Sequence, residues 1–371
     1  MMDTASISRR RFLGAIGATA ISSASPTAAA NQAPPLPSAG SLTDIGGVRV
    51  GHFTDTRRPT GCTVILFDKP ATAGADYDGS APAESLGVLL QPASPLDRIH
   101  GIVFAGGGPM GLGVSAGVIR FLDEHQIGYD WGVPNVRVPI VVGAAIDDLM
   151  LGDGRIRVGP DEGYRACQAA NAGAVAEGSV GAGAGATIGK MFVGRGMRGM
   201  KGGVGTASVR LGDVVIAALV VVNAAGDILD WRRGTIVAGA RTADGRDFVR
   251  SVDQLRRDLD ARRVPAAAIN PINDDALRAT TLAAIGTNVE LTKTQLTKLA
   301  MMANTGAARA INPYHTQGDG DQMLAVSTGS VTADLSLTSI GAIAAEVVSD
   351  AIVRAVRTAT AVPGWTAVRD L

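Results

Sequence analysis

Ala279-Thr280-Thr281-Leu282-Ala283-Ala284-Ile285 and Gly318-Asp319-Gly320-Asp321-Gln322-Met323-Leu324 bound a strand–helix–strand unit. Residues 281–285 read as a buried strand. Thr292-Lys293-Thr294-Gln295 then has the form of a capping box, a Thr cap with Gln three residues on, so each satisfies an N–H that the helix leaves open. The helix it opens carries Leu296, Leu299, Ala303 and Ala307 at helical spacing. It ends near Ala310, because Asn312-Pro313 disfavours further helix. Residues 314–322 make a polar turn, 323–328 a further strand, and 339–357 a last helix with Ile343, Val347, Ala351 and Val356 inward.

The earlier chain alternates in the same way. Strands are expected at 42–50, 61–67, 102–105 and 138–145, and helices at 114–125 and 163–176. Residues 214–223, VVIAALVVVN, form a long apolar run ended by Asn223, as expected for a strand covered on both faces. Strands and helices in this order predict a layered α/β sandwich. Composition agrees: 371 residues with 48 glycines, 46% apolar and only 4% aromatic describe closely packed layers joined by tight turns.

Charge and metal-binding residue types narrow the function. Lys plus Arg equals Asp plus Glu at 34 each, and no basic patch stands out, so nucleic acid is excluded as a partner. His52, His100, His125 and His315 are dispersed, and no pair has the spacing of a helical zinc site. Cys62 and Cys167 are too few for a disulfide scaffold; they are read as buried thiols, with pairing open in an oxidising compartment.

Three flanking regions complete the organisation. Ser8-Arg9-Arg10-Arg11-Phe12-Leu13, a short apolar stretch and Ala28-Ala29-Ala30 form a twin-arginine export signal over 1–30, which predicts a periplasmic or secreted enzyme delivered by that machinery. Residues 31–41 are a Pro-rich linker, and 42–371 one catalytic domain. Residues 230–279 are Arg-rich, hold Pro265 and Pro271, and read as an exposed segment with one helix near 251–261. Such a segment is accessible to cleavage.

The chemistry centres on Thr280. A threonine hydroxyl needs a base, and no Gly-x-Ser-x-Gly elbow or Ser-His-Asp set can be placed. A chain cut before Thr280 would supply its own α-amine, with a reference pKa of about 8. Asp319 and Asp321, two apart in extended chain, can face one site, although Asp-Gly-Asp is also a common turn. In Gly181–Lys190, Ala184 replaces the first glycine of a phosphate loop and Met191 its Ser/Thr. What remains is a close-approach loop ending in Lys190, read either as a site lysine or as a solvated one. Asn223, ending the apolar strand, is either a site amide or a turn residue.

A family resemblance covers residues 46–360. Gly51-His52 with Gly61-Cys62-Thr63, Gly106-Gly107 to Gly111-Leu112, Gly185-Ala186-Thr187-Ile188-Gly189-Lys190, Lys201-Gly202-Gly203, Val222-Asn223-Ala224, Thr280-Thr281-Leu282, Pro313-x-His315-Thr316 and Asp319-Gly320-Asp321 occur in order. Together they resemble the autocleaving hydrolases related to the L-aminopeptidase/D-amidase DmpA, the β-aminopeptidases and the nylon-oligomer hydrolase NylC. The resemblance implies a four-layer α/β/β/α sandwich, no cofactor, and tetramers of cleaved protomers. It implies cleavage between Ala279 and Thr280 into about 31–279 and 280–371. Thr280 would be the nucleophile, Asp319 and Asp321 its orienting carboxylates, and Lys190 and Asn223 its oxyanion-stabilising groups. Relatives of the NylC type carry Asn where Ala279 stands, and the family usually has Tyr near Asp147, which marks Asp147 as a possible substrate-site residue. The expected activity is hydrolysis of peptide-like or ω-amino-acid amides. The alternatives are an acyltransferase of the ornithine-acetyltransferase type and an inactive exported binding protein.

Overall fold

The computed structural model describes residues 39–261 and 278–371. The export signal, most of the linker, and residues 262–277 with Pro265 and Pro271 lie outside the described residues. In chain order the main elements are β1 (Val48–Thr54), β2 (Gly61–Asp76), β3 (Arg98–Ala105), α1 (Val114–Glu124), β4 (Val141–Ala145), α2 (Pro160–Ala169), β5 (Gly203–Leu211) and β6 (Val214–Asn223). There follow α3 (Ser251–Asp260), β7 (Thr280–Val289), α4 (Lys293–Ala310), β8 (Gln322–Val331) and α5 (Leu337–Thr358).

β2 joins the two halves of one sheet. Its first half pairs with β1 and β3, its second half with β8 and, at Ala71 and Thr72, again with β3 after a register shift between Leu66 and Ala71. Asp68, Lys69 and Pro70 at this break are exposed. The hydrogen-bonded order is β5-β6-β7-β8-β2-β3-β4, with β1 on β2. The pairs β7–β8 and β3–β4 are parallel and the others antiparallel. A strand that turns a corner in this way divides one ladder into two facing layers.

The alternation of side chains makes the layers visible. Ile65, Phe67, Ile102, Phe104 and Val142 from one layer meet Ala217, Leu219, Val221, Leu282, Ala284 and Leu324 from the other. The neighbouring residues on the same strands point outward, as a period of two requires. Cys62, Val64, Leu66, Val103 and Val141 pack on α1 and α2 through Val114, Val118, Leu122 and Ala166. Ile216, Ala218, Val220, Ala283, Ile285 and Ala325 pack on α4 and α5 through Leu296, Leu299, Ile340, Val347 and Ile352. The architecture is the four-layer α/β/β/α sandwich, and β6 is apolar up to Asn223 because both its faces are covered.

The expected cap of α4 is present: Thr292 N–H donates to Gln295 Oε1 at 2.8 Å, and Gln295 N–H donates to Thr292 Oγ1 at 3.3 Å. Other expectations need correction. The helix expected at 163–176 is α2, which starts earlier and ends at Ala169. Pro160 suits its first turn, and Asn171 Oδ1 accepts Gly173 N–H at 2.9 Å in a turn that stops it. β5 was hidden by its glycines. A Cβ on Gly205 would lie 2.0 Å from the Ala351 carbonyl oxygen, so α5 lies backbone-close against it. The segment after 230 is more structured than its arginines suggest: Thr235–Ala238 pairs with Asp227–Asp230. Asp258 of α3 is buried against Arg195, and Arg232 reaches the buried Asp350. Cys62 and Cys167 are both buried and free.

Candidate active site

Three strand ends converge at one edge of the sandwich. β6 ends at Asn223 and β7 begins at Thr280, and antiparallel pairing sets these two residues opposite each other. β8 runs parallel to β7, so its approach segment, Asp319 to Asp321, arrives beside Ala279 and Thr280. Ala279 bridges Asp319 in parallel register, and Gly320 N–H donates to the Ala279 carbonyl at 3.0 Å. Thr280 Oγ1 donates to the same carbonyl oxygen at 2.6 Å. A hydroxyl and the peptide carbonyl before it are thus held together, with a backbone N–H on the carbonyl.

The loop ending in Lys190 turns under this edge. Gly189 has φ +61°, and a Cβ there would lie 2.3 Å from Ala240 N, so glycine is required for the turn. Lys190 is 3% exposed. Its ammonium donates to Asn223 Oδ1 at 2.8 Å, Arg278 O at 2.8 Å and Thr187 Oγ1 at 3.2 Å. A buried ammonium persists only with such acceptors. Asn223 Nδ2 donates to Arg278 O and to Asp147 O, both at 3.1 Å, while Asn223 Oδ1 accepts Thr187 N–H at 2.9 Å. Lys190 and Asn223 therefore hold the carbonyl one residue upstream of Ala279.

The two carboxylates hold backbone on either side of the edge. Asp321 Oδ1 accepts Thr281 N–H at 2.6 Å. Asp319 Oδ2 accepts Thr316 N–H at 2.6 Å, and its Oδ1 has no hydrogen-bond partner although buried. Burial, and then the charge of Asp321, push the Asp319 carboxyl up to about 7. The Thr316 hydrogen bonds and the Lys190 charge oppose this. A carboxyl that titrates near neutrality can take and return a proton at working pH.

All the residues singled out in the sequence are brought to this edge: Thr280, Asp319, Asp321, Lys190, Asn223 and Ala279, with Asp147 present through its main chain. The Asp147 carboxylate accepts Leu149 N–H at 2.9 Å, so its contact with Asn223 is made by its carbonyl. The adjacent Asp148 is locked by Arg58 at 2.7 Å, Thr60 Oγ1 at 2.7 Å and Gly107 N–H at 2.9 Å.

Several neighbours escaped the sequence reading. Gly320 matters through its N–H, which every residue but proline carries. Lys201 lies fully buried beneath the Gly-rich loop and donates to the carbonyls of Gly183, Ala186 and Gly202; burial lowers its pKa to about 7. Asn304, Tyr314 and His315 stand behind Asp321. His315 was visible only as part of Pro313-x-His315-Thr316. Among the described residues no group of three or more His, Cys, Asp or Glu could hold a metal ion.

Comparison with known proteins shows the family. An uncharacterized aminopeptidase of Mycobacterium tuberculosis is 36% identical over 362 residues, covering 89% of this chain and 97% of the relative. A 6-aminohexanoate-oligomer endohydrolase of Paenarthrobacter ureafaciens is 33% identical over 329 residues, covering 84% of each. Among solved structures, a Burkholderia sp. β-aminopeptidase superposes with a TM-score of 0.60 at 24% identity, and the L-aminopeptidase D-Ala-esterase/amidase of Ochrobactrum anthropi with 0.59 at 21%, each over 86% of both chains. These two share the fold, described for the second as a variant of the Ntn-hydrolase fold. The family model of peptidase family S58 matches residues 40–369. With its strand ends, its buried lysine and its paired carboxylates in one place, this chain belongs to peptidase family S58 and is a peptide or amide hydrolase.

Proposed function

We propose that the enzyme processes itself between Ala279 and Thr280 and then uses the freed Thr280 as an amino-terminal nucleophile. The observation that carries this reading is the 2.6 Å approach of Thr280 Oγ1 to the Ala279 carbonyl oxygen, with Gly320 N–H on that oxygen. In the first step Oγ1 attacks the Ala279 carbonyl carbon, and the negative charge gathers on an oxygen that Gly320 N–H already faces. The 279–280 C–N bond breaks, the hydroxyl proton ends on the Thr280 nitrogen, and an Ala279 ester on Oγ1 remains. Water hydrolyses this ester and leaves the Ala279 carboxylate and a free Thr280 amine.

Turnover repeats the chemistry on a substrate amide. The Thr280 amine takes the hydroxyl proton, Oγ1 attacks the substrate carbonyl, and the leaving amine carries the proton away; water then releases the acid. Departure of the segment at Arg278 removes one acceptor from Lys190 Nζ and one from Asn223 Nδ2, which then turn to the substrate's oxyanion. Asp319 and Asp321 orient the new ammonium, and a proton is relayed through the carboxylate pair. Peptide-like and ω-amino-acid amides are the substrate class, a reading supported by the aminopeptidase and 6-aminohexanoate-oligomer relatives. The proposal includes twin-arginine export of the chain, and tetramers of cleaved protomers on the strength of the family resemblance.

The test is a panel of aminoacyl p-nitroanilides, β-peptides and 6-aminohexanoate oligomers, with Thr280→Ala as the control. At least one class is expected to be hydrolysed by the cut enzyme and none by the variant. Turnover retained by Thr280→Ala would place the nucleophile elsewhere.

A further inference from the structure

Behind Asp321 runs a chain of hydrogen bonds whose donors and acceptors can be assigned one by one. Tyr314 O–H donates to Asn304 Oδ1 at 2.8 Å. The Asn304 nitrogen faces the other way, where it donates to Asp76 Oδ2 at 3.0 Å and to His315 Nε2 at 2.9 Å, with a longer contact of 3.5 Å to Asp78 Oδ2. His315 Nε2 is therefore an acceptor, and its ring proton sits on Nδ1. Nδ1 lies 3.1 Å from Asp321 Oδ2 and donates to it. Asp321 Oδ1 already accepts Thr281 N–H. Both oxygens of Asp321 thus accept, and a proton on either would break one of these bonds. Asp319 is the opposite case, with a buried Oδ1 that has no partner.

We infer that His315 is a positioning residue that holds Asp321 as the anionic member of the carboxylate pair and so leaves the mobile proton to Asp319. This rests on the proposed role of Thr280 and the two aspartates, and it divides their work. Asp321 is a fixed negative post on the backbone of Thr281. Asp319 is the group that exchanges a proton beside the scissile bond. Two buried carboxylates this close cannot both ionise freely, so the one with better donors keeps the charge. Burial disfavours protonation of the His315 ring, but the Asp321 hydrogen bond and charge outweigh it and raise its pKa; Nε2 accepts only in the neutral ring, so the tautomer is read at alkaline pH, above that raised pKa.

The backbone supports a fixed role. His315 has φ +52°, a left-handed conformation that costs a non-glycine residue energy and persists where surrounding contacts require it. Its ring stacks 3.9 Å from that of Tyr314. The ionisable groups facing the pair are His315, Tyr314, Asp76 and Asp78 on one side and Lys190 on the other.

Two measurements test the assignment. The first is the tautomer of His315 in the uncut Thr280→Ala protein, read from two-bond nitrogen–proton correlations, with the signal identified by its loss in His315→Asn. The Nδ1–H form is expected; an Nε2–H ring would overturn the inference whatever the nucleophile proves to be. The second is the rate of self-cleavage against pH. His315→Phe removes the donor and should slow cutting by about tenfold or more, the loss expected for a charge-assisted hydrogen bond. It should also move the pair's upper apparent pKa upward, because the doubly ionised pair loses its donor. His315→Asn places an amide N–H near the Nδ1 position and tolerates the left-handed backbone, so it should recover most of the rate and the wild-type profile. An unchanged rate and profile in His315→Phe would overturn the role of His315 while leaving Thr280 intact; failure of Thr280→Ala to block cutting would instead defeat the parent reading.

Discussion

Asn223 and Thr280 are cross-strand partners, the last residue of β6 set opposite the first residue of β7. This register delivers the Asn223 amide to the Arg278 carbonyl and lets Lys190 Nζ join it there. The upstream side of the Ala279–Thr280 bond is therefore clamped by two side chains, while the bond's own carbonyl is met by Gly320 N–H. Lys190→Met keeps the length of the side chain and removes the clamp's charge. Self-cleavage is expected to slow by roughly 10²-fold, followed by the disappearance of the full-length band after a purification of uncut protein.

Gly320 offers a test that leaves every side chain of the site in place. A Cβ at this position would lie 2.6 Å from Ala81 O and 3.0 Å from Thr280 Oγ1. Gly320→Ala must push either the 79–81 segment or the hydroxyl away. Cutting is expected to slow by about tenfold or more, in proportion to the lost alignment, with the circular dichroism spectrum unchanged.

Asp319 makes stability depend on pH. Its folded-state pKa of about 7 lies above the ordinary 3.8. The folded chain keeps a proton that the unfolded chain gives up, so its contribution is fully present below 3.8 and is lost as pH rises through about 7. In a Thr280→Ala background, which keeps both proteins uncut, Asp319→Asn should therefore be more stable than its parent above neutrality, by on the order of a few kcal/mol. The difference should close towards acid pH. Denaturant titrations at acid and at mildly alkaline pH read this directly.

Arg58 and Asp148 form an ion pair that is almost completely buried, at 2.7 Å. Asp148 also ties Gly107 N–H and Thr60 Oγ1 to the turn that presents the Asp147 carbonyl to Asn223. Asp148→Ala strands a buried guanidinium and should cost about 3–5 kcal/mol, seen as a lower thermal midpoint. The loss of the turn should also slow self-cleavage.

The layers were legible in the sequence because their causes are local. β6 is apolar up to Asn223 since both faces are covered, and α4 begins where Thr292 and Gln295 can cap each other. Thr280, Lys190, Asn223 and the two aspartates were legible as residue types, and their order matched a family. The corner in β2 was not, since it depends on which partners take each half of the strand. β5 was obscured because its glycines answer to α5, a contact far away in sequence. His315 looked like one more dispersed histidine, because its meaning comes from Asn304 and Tyr314 in the fold. The arginines after residue 230 suggested a solvated stretch; the buried carboxylate of Asp350 that receives Arg232 lies on α5, far along the chain, where the local pattern could not connect the two.

The intact mass of the purified protein, followed over time beside Thr280→Ala, decides whether the chain cuts itself. Two chains are expected from the wild type, one ending at Ala279 and one running Thr280–Leu371 with a free threonine amine, and a single chain from the variant. A wild-type chain that stays whole and still hydrolyses amides would contradict self-processing.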